Sequence, residues 1–134
     1  MARPRRIDQL ADAPDRIGDD GPVDLSAVRR ARAVLPGSGL VRELTGLFAA
    51  LGDPTRLRII AVLAEQELCV SDLSVTIGQT PSAVSHQLRH LRSLGLVRGR
   101  RAGRRVYYGV DDQHVSRLYG EALDHVRHRT EGPG

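Results

Sequence analysis

The chain has 134 residues, one cysteine, no tryptophan and one phenylalanine, which fits a single domain with an aliphatic core and excludes an internal disulfide framework or a multi-cysteine metal site within one chain. No apolar run approaches the roughly 20 residues that span a bilayer, and the opening "MARPRRIDQL" lacks a signal core, so a cytoplasmic protein without a membrane partner is expected. Net charge is +4, yet residues 98–105, "RGRRAGRR", alone hold five arginines and no acid, which points to a polyanion bound through one local finger unless the run is only a solvated loop.

Residues 1–22 are rich in Asp, Arg, Pro and Gly, and read as a flexible arm. Arg3, Arg5 and Arg6 could reach a minor groove from it, although disorder is the simpler expectation. "DLSAVRRARAVL", residues 24–35, reads as a short helix capped by Asp24 and broken by Pro36-Gly37, so the arm as a whole is expected to run to residue 37. The main domain is then expected over residues 38–130, with 131–134 a disordered tail. Its first helix runs from Ser38 to Leu51, with Leu40, Leu44, Leu47 and Leu51 on one stripe. "GDPTR" is a turn, and Pro54 suits the first turn of a helix reaching about Glu65. "VSDLSVTIG" reads as a short helix capped by Ser71 or Asp72 and ended by Gly78. "TPSAVSHQLRHLRSLG" is a second helix, with Val84, Leu88 and Leu91 as its buried stripe. After Gly95 the period changes to that of strands, "LVRGR" and "RVYYGV", joined by the turn-forming "RAGR". From residue 112 the chain returns to helix.

Helix, turn, helix and hairpin in that order make a winged helix-turn-helix, mainly α with a small β-hairpin. With Val84 facing inward, about 100° per residue places Ser82, Ser85, His86 and Arg89 on the outer face of the second helix. Small and polar groups there leave room for a major-groove approach. The helix start around Thr80 offers free N–H groups to phosphate, and Gln87 at the edge could read a base. Arg100, Arg101, Arg104 and Arg105 of the wing would hold phosphates or enter a minor groove. The bland alternative for Ser82, Ser85 and His86 is an ordinary polar helix surface.

"LGDPTRLRII", "ELCVSDL", "SAVSHQLRHLR" and "GRRVYY" together resemble the ArsR/SmtB family of bacterial metal-responsive repressors, over residues 40–128. The resemblance implies a homodimer that binds double-stranded operator DNA with an inverted repeat and releases it on binding metal. It implies neither an enzyme nor a small-molecule substrate.

The last helix carries Asp112, His114, His125 and His128, metal-ligand types paired at its two ends. His114 and His125 stand roughly 16 Å apart along a helix axis, too far to share an ion, yet nearly three whole turns point them the same way. His128 shares that face and can join His125, while Asp112 at the helix start can join His114. Zinc wants four ligands in a tetrahedron. An antiparallel second copy would complete two Asp-His-His-His sites by twofold symmetry, with Val115, Tyr119, Ala122 and Val126 as the seam between helices. Three nitrogens and one oxygen suit Zn2+ or Co2+ as the regulatory ligand. By resemblance, these four positions match the C-terminal-helix sensor site of the zinc- and cobalt-responsive branch, and His125 would donate its other ring N–H to a carbonyl near Gly95. Cys69 stands where arsenic- and cadmium-type sensors begin a Cys-x-Cys pair, but Ser71 replaces the second thiol. The serious alternative is a winged-helix DNA-binding regulator with a non-functional or non-metal sensor site. A hydrolytic zinc enzyme would need an open coordination position that four protein ligands close.

Overall fold

A computed structural model describes residue 21 and residues 23–132. The rest of the expected arm, including Arg3, Arg5 and Arg6, and the last two residues of the expected tail lie outside the described residues. The chain divides into two units, residues 1–37 and 38–134. In the first, α1 (Leu25–Ala33) starts where the Asp24 carboxylate accepts the Ala27 N–H at 3.0 Å. It stops at the Val34 cap, because Leu35 precedes proline and is pushed out of helical geometry. None of its residues is buried.

The second unit holds α2 (Ser38–Leu51), α3 (Pro54–Leu63), β1 (Leu68–Cys69), α4 (Val70–Ile77), α5 (Pro81–Ser93), β2 (Val97–Ala102), β3 (Arg105–Val110) and α6 (Gln113–Thr130). Among the described residues no helix is long and apolar enough to cross a membrane. One aliphatic cluster holds the unit together: Ile59, Ile60 and Leu63 of α3, Leu73 of α4, Val84, Leu88 and Leu91 of α5, then Leu96, Val97 and Val115. The stripe expected on α5 is therefore the one it buries. Only the C-terminal half of the α2 stripe reaches this core, through Leu47 and Leu51, while Leu40 and Leu44 stay exposed beside Val41 and Phe48.

Local chemistry sets most boundaries. Asp53 caps α3 by accepting the Arg56 N–H at 3.0 Å, with Pro54 in the first turn. Thr80 Oγ1 accepts the Ala83 N–H at 3.1 Å and caps α5. Between α4 and α5, Gly78 takes the left-handed φ of +69°, and the buried Ser74 hydroxyl donates to the Gln79 carbonyl. The start of α4 differs from expectation: it begins at Val70 on the backbone of Cys69, with no side-chain cap from Ser71 or Asp72. The cause is tertiary. Leu68 and Cys69 pair with Tyr108 and Tyr107 as a third strand, so the chain enters the helix directly from a sheet. The sheet order is β1-β3-β2, with the hairpin turning at Gly103 (φ +63°) and Arg104.

Candidate nucleic-acid interface and metal centre

The geometry of α5 presents Thr80, Ser82, His86 and Arg89 to solvent, with Ser85 half-buried at the margin. Gln87 is different. Its Oε1 accepts from Arg56 Nε at 3.0 Å, so its amide is turned towards the start of α3. Two-point reading of adenine by glutamine uses both the oxygen and the amide nitrogen, and here one lone pair of that oxygen is committed to Arg56. The link instead braces α5 against α3. Neither its distance in sequence nor its partner type gives any signal in the chain itself.

The wing arginines divide into two groups. Arg101 and Arg104 are exposed at the hairpin tip, and Arg98, which sequence reasoning did not single out, is exposed at its base. Arg100 is engaged: Nε and Nη2 donate to Glu67 Oε2 at 3.0 and 2.8 Å, and its guanidinium lies 5.4 Å from the Tyr107 ring centroid. Arg105 Nη1 contacts Cys69 Sγ at 3.6 Å, and this bond and the nearby sulfur charge push the guanidinium pKa further up. Cys69 itself is buried beneath that contact. Among the described residues, the wing thus offers Arg98, Arg101 and Arg104 without a side-chain partner, and of the four arginines expected only Arg101 and Arg104 are among them.

The other cluster lies on α6. Asp112 is its cap, with Oδ1 accepting the backbone N–H groups of His114 at 2.8 Å and Val115 at 3.3 Å. His114 Nδ1 lies 3.4 Å from the same oxygen, and both side chains are open to solvent. Desolvation acts to raise the Asp112 pKa, but the hydrogen bonds from Val115 and His114 outweigh it and hold the carboxyl below its ordinary value. A ligand carboxylate must be ionised, and this cap keeps it so. At the far end His125 and His128 are exposed on the last turns, and His128 Nδ1 stands 3.2 Å from the Asp124 carbonyl oxygen. A carbonyl can only accept, so that bond needs the proton on Nδ1, which makes Nε2 the nitrogen of the ring that can face a metal. Among the described residues, no three His, Cys, Asp or Glu side chains converge within one chain.

The expected seam needs correction. Val115 is buried in its own chain's core and is not free to face another helix, whereas Tyr119 is half-buried against that core. Tyr119, Ala122, Leu123 and Val126 line an open apolar groove of about 300 Å³ with Leu57, Arg58 and Ala61 of α3.

Residues 53–98 match the family described as "Bacterial regulatory protein, arsR family". A transcriptional repressor SmtB homologue of Synechocystis sp. is 47% identical over 105 residues, covering 78% of this chain and 80% of that one. This chain belongs to the ArsR/SmtB family. ArsR/SmtB proteins are DNA-binding transcriptional regulators rather than enzymes. The regulator NmtR of Mycobacterium tuberculosis is 48% identical over 86 residues, covering 64% of this ArsR/SmtB chain and 72% of its own length. The solution structure of apo-NmtR superposes with a TM-score of 0.62 at 45% identity, covering 70% of this chain and 79% of that one. The homodimeric winged helix-turn-helix DNA-binding domain of Mb0332 from Mycobacterium bovis superposes at 0.68 with 27% identity, over 85% and 95% of the two chains. The winged helix of this ArsR/SmtB protein is therefore α4 and α5 with the β2–β3 wing, and its site chemistry is that of a regulator.

Proposed function

We propose that this ArsR/SmtB protein is a metal-sensing transcriptional repressor, a homodimer on an inverted-repeat operator that lets go of DNA when Zn2+ or Co2+ occupies two interfacial sites. The observation that carries this is the division of ligands on one 18-residue helix: Asp112 and His114 meet at its start, and His125 and His128 stand exposed at its end. The residues fit the ion. An ionised carboxylate and imidazoles with free ring nitrogens form a three-nitrogen, one-oxygen set. When bound, the metal supplies a link between the terminal helices of two chains.

The chain's own contacts support a route by which such a link would be felt by α5. Asp111, next to the cap, donates its N–H to the Leu96 carbonyl at 2.9 Å, and Leu96 donates back to Leu91 of α5 at 3.0 Å. Val115 shares one core with Leu88 and Leu91. The start of α6 is therefore fastened to the end of the recognition helix by two hydrogen bonds and common packing. The expected donation from His125 to a carbonyl near Gly95 would act on the same junction. A difference in DNA affinity of about 1–3 kcal/mol between the two states is enough for a switch, and DNA must weaken metal binding by the same factor.

The test is fluorescence anisotropy of operator DNA during a zinc titration of the wild type and of His125→Ala. The wild type should release DNA as zinc is added, and the variant should hold it. Release by His125→Ala at the wild-type zinc concentration rejects the assigned site. A wild type that binds the operator and ignores both metals is a regulator with another kind of sensor, or none.

A further inference from the structure

The Glu67–Arg100 pair has a geometry that the DNA-binding reading leaves unused. Glu67 immediately precedes β1, on the far side of the sheet from Arg100 on β2, with β3 between them. It reaches across because the middle strand is bare at that point: a Cβ on Gly109 would stand 3.2 Å from Glu67 Cγ. Glu67 Oε2 then takes both Nε and Nη2 of Arg100, and Tyr107, the cross-strand neighbour of Arg100, lies under the guanidinium. Arg100 is thus held by two groups of its own chain, the Glu67 carboxylate and the Tyr107 ring, in the middle of the most cationic stretch of the sequence. Its side chain is still 59% exposed and that of Glu67 39% exposed, so the pair sits at the surface a polyanion would meet. An exposed ion pair is weak, of the same order as one arginine–phosphate contact, so a single substitution can shift the balance between the two.

We infer that Glu67 is an intramolecular rival of the DNA backbone for Arg100, a latch that withholds one wing cation from phosphate. The inference rests on the wing meeting DNA in the manner proposed above. Its consequence is a ceiling on sequence-independent affinity: the carboxylate imitates a phosphate and keeps the wing from gripping any duplex too tightly.

Binding of operator and of a scrambled duplex is measured by anisotropy across a salt series for the wild type, Glu67→Gln, Arg100→Ala, the double variant and Gly109→Ala. Glu67→Gln should bind both duplexes roughly three- to tenfold tighter at low salt, with a log K against log [salt] slope steeper by about 0.9, the share of one added phosphate contact. The double variant should lose that gain. Gly109→Ala keeps every charge but presses on the Glu67 Cγ, which must give by a few tenths of an ångström, so it should move affinity and slope in the same direction by less than Glu67→Gln does. An unchanged or weaker Glu67→Gln overturns the latch. So does a gain that persists without Arg100, since it would reflect only the lost negative charge. A purely structural strut would alter melting temperature and leave the salt slope where it was. A wild type that binds neither duplex overturns both the latch and the nucleic-acid reading, whereas normal wild-type binding with an unmoved Glu67→Gln sinks the latch alone.

Discussion

Asp112 serves both as helix cap and as candidate ligand, and substitution can separate the two. Asparagine caps a helix about as well as aspartate but carries no charge to give a metal, whereas alanine does neither. Asp112→Asn should therefore unfold at nearly the wild-type urea concentration at neutral pH, and Asp112→Ala should unfold at a lower one. Both should bind zinc more weakly in a competition titration. A stability loss equal in both variants would refute the cap argument. The sign of the pH effect follows from the lowered carboxyl pKa: its stabilisation is present above the ordinary value of 3.8 and is lost as pH falls through the lower folded value. The meeting of Asp112 and His114 is legible in the sequence because a cap and the residue two places on are held by local geometry. The Arg56–Gln87 and Arg100–Glu67 contacts are not, since their partners stand 31 and 33 positions apart and nothing local announces them.

Among the elements, those ended by their own side chains are the ones a sequence reveals. Asp53 with Pro54 and Thr80 with Pro81 mark where α3 and α5 begin, and the 3.6-residue stripe of Val84, Leu88 and Leu91 marks which face goes inward. The two-residue strand β1 and the uncapped start of α4 escape such reading, because only pairing with β3 creates them. Gly78, between the two helices, is a point where backbone conformation alone decides stability. Its φ is +69° and a Cβ would meet nothing within 4 Å, so Gly78→Ala should cost roughly 1 kcal/mol from the left-handed backbone alone. Gly78→Asn should lose less, because asparagine tolerates that region. Thermal melts of the three proteins decide the matter, and equal melting temperatures for wild type and alanine variant would contradict it.

For the whole molecule, the sequence reveals the period and phase of Asp112, His114, His125 and His128 on α6 but misassigns one residue of the apolar stripe beside them, because Val115 satisfies the demands of an intrachain core. Periodicity tells which residues share a face and is silent on which neighbour takes it. The ligand arrangement makes a prediction that only an assembly can meet. A chain carrying Asp112→Asn and His114→Ala and a chain carrying His125→Ala and His128→Ala each lack one half of every site. Homodimers of either should bind no zinc at α6, while co-refolded mixed dimers should regain one site per dimer, with the second lost on both sides. Zinc bound per dimer, measured by competition with a chromophoric chelator, should rise from near zero to about half a site in a random mixture, where half of the dimers are mixed. Restoration in either homodimer would show that the ligands of a site come from one chain.

The length of α6 has a consequence for how a cell would use such a regulator. With the proposed ligands at opposite tips of one rigid rod, an isolated subunit would be blind to the ion, and detection would become second order in the protein itself. By mass action, the metal threshold then depends on how many copies have been made, and the promoter strength of the regulator's own gene becomes part of its calibration.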